Sequence, residues 1–95
     1  MKESDHMTID QLDAFLAVVK YQSYRVASEK LFLSQPSISS RIQALERELG
    51  ADLFIRSGRG VALSEQGRIL VPYAKRMIGV YKKACIDLHS ESGSS

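Results

Sequence analysis

The sequence predicts a mainly α winged helix-turn-helix: three helices, a two-stranded wing and a long C-terminal linker helix. Apolar residues recur at helical spacing through most of the chain. A helix with a polar leading edge follows its predecessor after only three or four residues, the helix-turn-helix spacing. The period then switches to two short strand-like runs around a loop with two glycines, a pattern that reads as a wing.

Taken in order, the first helix is expected to begin at Thr8, whose hydroxyl caps it while Gln11 reaches back. Leu12, Phe15, Leu16 and Val19 form its apolar stripe. Tyr21 to Ser23 breaks the pattern, and Ser23 caps a short second helix that turns Val26, Ala27 and Leu31 inward. The small pair Ala27 and Ser28 allows another helix to cross closely. After an apolar turn at Phe32 and Leu33, Ser34 caps a third helix, with Pro36 in the first turn where a missing N–H costs nothing. Ile38, Ile42, Leu45 and Leu49 supply its apolar face, and Gly50 is placed to end it in a left-handed conformation.

Leu53–Arg56 and Val61–Leu63 read as the wing strands, with Gly58 and Gly60 providing positive φ between them. Ser64 caps the last helix, expected to run to about Leu88. Leu70, Tyr73, Met77, Val80 and Ala84 alternate spacings of three and four along it, a heptad-like seam. Pro72 falls inside this helix and is expected to bend it or loosen one turn. The expected organisation is a disordered leader over 1–7, the winged body over 8–63, a linker and dimerisation helix over 64–89, and a flexible Ser/Gly tail over 90–95.

Composition narrows the function classes. With 95 residues there is room for one small domain, and 44% hydrophobic against 25% charged residues argues for a globular fold over a disordered chain. The net charge of +2 is mild, but it is sorted. Residues 1–13 set Lys2 against Glu3, Asp5, Asp10 and Asp13, whereas residues 65–83 set Arg68, Lys75, Arg76, Lys82 and Lys83 against Glu65. That distribution fits either one basic face for phosphates or a solvated helix surface. Cys85 is the only cysteine, which precludes an intramolecular disulfide and fits a reducing cytosol; it reads as apolar filler or as a reactive thiol, filler being favoured. No apolar run approaches the length needed to span a bilayer and no signal-peptide core opens the chain, so a cytoplasmic location and no membrane contact are expected.

No catalytic constellation is visible. His6 and His89 lie at opposite ends, so a Ser-His-Asp arrangement has no base, and one cysteine with two distant histidines has no metal-ligand spacing. The 57–60 loop lacks a following Lys-Ser/Thr and is a turn, not a phosphate cradle. Neither an enzyme nor a cofactor is expected.

The functional signal lies at the start of the third helix. Gln35, Ser39 and Ser40 stand away from the Ile38–Ile42 stripe and are free to face a duplex. Gln pairs with adenine in a bidentate way, Ser contacts bases or phosphates, and Arg41 suits guanine or phosphate. The free N–H groups of a helix N-terminus favour an anion. Alternatively, Ser34 only caps the helix and its neighbours only solvate it. Arg56 and Arg59 on the wing read as phosphate or minor-groove contacts, or as a charged turn. Lys75, Arg76, Lys82 and Lys83 are expected chiefly to keep the last helix soluble, and Tyr73 and Tyr81 to pack in a dimer seam.

Over Leu12 to Gly67 the sequence resembles the LysR-type transcriptional regulators of bacteria. The resemblance rests on Phe15, Ser23, Ala27, Leu31, the Ser34-Gln35-Pro36 turn and Ser39, continuing through Ile42, Leu45-Glu46, Leu49-Gly50, Leu53-Phe54 with Arg56, and Leu63 with Gly67. It implies sequence-specific binding of double-stranded DNA, with the third helix in the major groove and the wing on the minor groove or backbone. It further implies a homodimer joined through the linker helix on an imperfect palindrome. Carried over by position, Gln35, Pro36 and Ser39 face the groove, with either Ser40 or Arg41 beside them. Ser23 and Ser34 match phosphate-contacting hydroxyls and Arg56 matches the wing arginine; Ser37 and Arg59, not matched to family positions, are expected to join them on the DNA backbone. Such regulators usually continue into an effector-binding domain, none of which is contained in these residues.

Ser28 and Ser64 stand where alanine and threonine are usual, both tolerable changes. Ser40-Arg41 departs from relatives that carry arginine first, which bears on operator sequence. Fold alone leaves open a winged helix used only for protein interaction; a steep loss of DNA affinity with salt separates the two.

Overall fold

The computed structural model describes residues 6–58 and 60–94. Most of the expected leader, residues 1–5, lies outside them, as do Arg59 and Ser95. The element order is α1 (Ile9–Tyr21), α2 (Tyr24–Leu31), α3 (Gln35–Leu49), β1 (Phe54–Ser57), β2 (Gly60–Leu63) and α4 (Glu65–Ser94). This is the mainly helical winged architecture that the sequence predicts.

Helix boundaries follow from local chemistry. The Thr8 hydroxyl accepts from the Gln11 N–H at 3.1 Å, and the Gln11 amide oxygen accepts from the Thr8 N–H at 3.2 Å. Two orphan donors of the first turn are thereby satisfied. Ser23 Oγ accepts from Val26 N–H at 3.0 Å, and Ser34 Oγ from Ser37 N–H at 3.1 Å. α1 stops at Gln22, α2 at Phe32 and α3 at Gly50, each in the left-handed region with φ of 55°, 58° and 65°. For Phe32, a bulky side chain in that region is uncommon.

The core forms where α1 packs against α2, α3 and α4. Leu12, Phe15 and Val18 of α1 meet Ala27 of α2, Ile38, Ile42 and Leu45 of α3, Leu53, and Ala74 and Ile78 of α4. Burying each large aliphatic or aromatic side chain contributes about 1.5–3 kcal/mol. Phe54 extends the cluster under the wing, its ring centroid 5.4 Å from Phe15 and 6.1 Å from Tyr24. Val18 is fully buried and Leu16 and Val19 only partly, because a helix with neighbours on three sides buries a wider face than one stripe.

Four local expectations change. Phe32, expected in an apolar turn, is 93% exposed, because the left-handed cap turns it off the core. Leu49 is exposed at the end of α3, where the chain leaves the body. Gly60 has the positive φ expected of the loop, at 137°, but Gly58 does not. Finally, α4 does not stop near Leu88: helical backbone continues to Ser94 through part of the expected tail. No proline interrupts the sequence there, although Gly93 is a poor helix former.

β1 and β2 pair antiparallel, Phe54 with Leu63 and Ser57 with Gly60. Leu53, expected to open the first strand, lies just before it and is buried. Its N–H donates to the Glu46 carboxylate at 2.8 Å, and its carbonyl accepts from Ser64 N–H at 2.9 Å. The Ser64 hydroxyl donates to the Asp52 carbonyl while its oxygen accepts from Gly67 N–H at 2.9 Å. One serine therefore caps α4 and ties it to the root of the wing. The helical assignment of α4 runs unbroken across Pro72.

Candidate nucleic-acid interface

Successive residues of an α-helix are turned by about 100°. With Ile38, Ile42 and Leu45 sealed in the core, the opposite ridge of α3 carries Pro36, Ser40 and Arg47, with Gln43 at its wing-side edge, all exposed. Gln35 and Ser39 lie on the flank facing the wing, Gln35 exposed and Ser39 half-buried. Arg41 is half-buried and falls about 100° round from Ser40, on the flank away from the wing. Ser40 and Arg41, adjacent in sequence, therefore point to different surroundings.

Between α3 and the wing lies an open cleft of about 670 Å³. One wall is the α3 flank of Gln35, Ser39, Gln43 and Glu46; another is the start of α2, with Ser23 and Arg25. The wing closes the third side with Ile55, Arg56 and Ser57. Of the residues singled out from sequence, Gln35, Ser39, Ser23 and Arg56 meet around this cleft. Ser34 and Ser37 sit at the α3 N-terminus, hydrogen-bonded to each other at 3.0 Å. Arg59 falls outside the described residues.

Sequence reasoning missed Arg25, Gln43 and Glu46. The recurrence of Gln35, Ser39 and Gln43 every four residues was a legible signal for one shared flank. Arg25 pairs with Glu29 at 2.8 Å, one turn along α2. Tyr24 reaches the cleft with its hydroxyl held above its ordinary pKa of 10.0, by burial first and the Glu46 charge second, with Arg56 opposing. The phenol is therefore a hydrogen-bond donor near neutral pH.

Along α4, Ala74 and Ile78 are buried against the body, and Leu70 and Met77 are partly packed on the same core. Tyr73, Val80 and Ala84 remain exposed, as does Ile69 beside them. The predicted seam thus divides: two members lean on their own domain and three have no apolar neighbour layer. Arg76 lies over the Tyr73 ring at 5.4 Å. Among the described residues no three His, Cys, Asp or Glu side chains gather as a metal site, and no helix is long and apolar enough to cross a membrane.

Three short helices, a hairpin wing beside the third, and a long helix behind them define a winged helix-turn-helix protein. Residues 9–68 match the family described as "Bacterial regulatory helix-turn-helix protein, lysR family", and the chain belongs to that family. It is 45% identical over 76 residues to the uncharacterized HTH-type transcriptional regulator YxjO of Bacillus subtilis (strain 168), covering 80% of this chain and 26% of YxjO. Among solved structures it is similar to the CbnR DBD in complex with DNA, with a TM-score of 0.84 and 31% identity over 90% of this chain and 99% of that one. The BenM DBD in complex with catB site 1 DNA gives a TM-score of 0.83 and 32% identity over 94% of this chain and 99% of that one. The chain spans about a quarter of the length of relatives such as YxjO.

Proposed function

We propose that this chain is the double-stranded-DNA-reading module of a transcription regulator, working in the cytoplasm as a homodimer. The observation that carries this reading is the exposed polar ridge and flank of α3, facing an open cleft whose far wall bears Arg56. Near full-length similarity to the CbnR and BenM domains, both solved on DNA, supports it.

In this reading α3 enters the major groove, and Gln35, Pro36, Ser39 and Ser40 meet base edges. Ser40 is preferred to Arg41 because it stands on the outermost ridge; Arg41 serves the backbone from its flank. Ser23, Ser34, Ser37, Arg56 and Arg59 hold phosphates, the first three close to helix N-termini that favour anions. Tyr73, Val80 and Ala84 of α4, with Leu70 and Met77 at their edge, form the seam between two copies, which then read the halves of an imperfect palindrome.

Selection of bound duplexes from random DNA tests the reading directly. The expected result is a two-fold-related motif whose binding weakens steeply with salt as phosphate counterions are released. Failure to enrich any sequence, with no salt-dependent duplex binding, overturns it in favour of a protein-interaction module.

A further inference from the structure

Glu46 places an acid in the cleft where the proposed reading brings DNA phosphates. It lines the same opening as Ser39, Arg25 and Arg56. Its carboxylate accepts the Leu53 N–H at 2.8 Å, the last such bond before β1 begins. A carboxylate acceptor makes this a charge-assisted hydrogen bond, roughly twice as strong as a neutral one. It links the recognition helix to the root of the wing, three residues upstream of Arg56. Leu53 is held on its other side by Ser64, so the α3–wing spacing is fixed from both directions.

The charge has a second effect. Among the described residues of the cleft, Arg25 and Arg56 are balanced by Glu46 and Asp52, leaving the lining formally neutral. Arg25 is also paired with Glu29. Glu46 shares the α3 wall of the cleft with Gln35 and Ser39, so a duplex that settles on its phosphates without base contacts to hold α3 in register can bring phosphate beside this carboxylate. Repulsion that fell equally on every duplex would leave discrimination unchanged; it raises discrimination because a random complex, held by phosphates alone, rests them nearer Glu46 than a cognate complex held in register by α3.

We propose that Glu46 is a specificity-determining positioning residue, tying the wing to α3 through Leu53 and using its charge to hold down sequence-independent DNA affinity. The proposal rests on the DNA-binding reading above. Two substitutions separate its halves. Glu46→Gln keeps an oxygen acceptor for Leu53 and removes the charge; Glu46→Ala removes both.

The experiment uses the 95-residue chain, a random-sequence duplex, the best duplex from selection, and amide hydrogen exchange of the free protein. Glu46→Gln is expected to retain Leu53 protection. It should bind random DNA about fivefold more tightly at low salt, the scale of one charge across a solvated cleft. That gain should shrink as salt rises, and the cognate-to-random ratio should fall with it. Glu46→Ala is expected to exchange Leu53 about tenfold faster, matching the loss of one net hydrogen bond, with α1 core amides unchanged, and to lose cognate affinity despite its missing charge. Wild-type-like binding of both duplexes by Glu46→Gln, or unchanged Leu53 exchange in Glu46→Ala, overturns the proposal and leaves the DNA reading intact. Absence of duplex binding by the unsubstituted chain overturns both.

Discussion

Gly67 lies so close to Leu53 that a Cβ on it would overlap the Leu53 carbonyl oxygen and come within 2.6 Å of a Leu63 methyl. The neighbour is backbone, already engaged by Ser64, so it cannot swing aside. Gly67→Ala is therefore expected to push α4 off the wing root and destabilise the fold by about 1–3 kcal/mol, the usual cost of overpacking. Urea denaturation checks this; an unchanged midpoint would mean that the contact yields freely.

Phe32 presents the opposite case. It holds φ 58° with almost its whole side chain in water. Left-handed backbone costs a bulky residue roughly 1–2 kcal/mol, whereas asparagine tolerates it. Phe32→Asn should raise stability by roughly 0.5–1 kcal/mol on that account, read as a higher thermal midpoint. A drop would show that the ring has a packing role the monomer does not display.

Base and backbone contacts should separate in binding assays. Gln35→Ala is expected to weaken cognate binding by about 1–3 kcal/mol and relax preference at one base pair. Arg56→Ala should weaken cognate and random duplexes alike and flatten the salt dependence by about one phosphate contact. Equal loss on both duplexes for Gln35→Ala would remove it from base readout, and an unchanged slope would remove Arg56 from the backbone set.

The α4 seam predicts a dimer by light scattering at micromolar protein. Val80 is 66% and Tyr73 53% exposed, so changing them leaves the core untouched. Val80→Glu should shift the chain toward monomer with little change in the unfolding midpoint. A dimer that survives this substitution would place the subunit contact elsewhere.

Features with local causes were legible in the sequence. Thr8, Ser23 and Ser34 cap because a short oxygen-bearing side chain precedes an apolar period, and Gly50 ends α3 because only glycine enters the left-handed region without strain. The cleft was harder to read. Arg25 and Glu46 look like ordinary solvated helix charges until the wing folds back beside them. Ser64 was read as a cap, but its bond to Asp52 spans twelve residues and no spacing rule encodes it. Gly67 matched the family pattern without disclosing what crowds it. The three-four alternation sets Leu70 and Met77 in the expected seam, whereas packing shows that the core of their own domain takes up part of both. Ser40 and Arg41 are inseparable by residue chemistry, and the helical turn between them puts Ser40 on the outer ridge and Arg41 on the flank away from the wing.

α4 is fastened to the wing at its first turn and runs for 30 residues as one helix. At 1.5 Å per residue that is a beam of about 45 Å, so a tilt of about 5° at one end sweeps the other through roughly 4 Å. In the proposed dimer, with both copies gripped along such beams, the crossing angle would govern the gap between the two α3 helices, and small rotations there would tune which operator spacings fit.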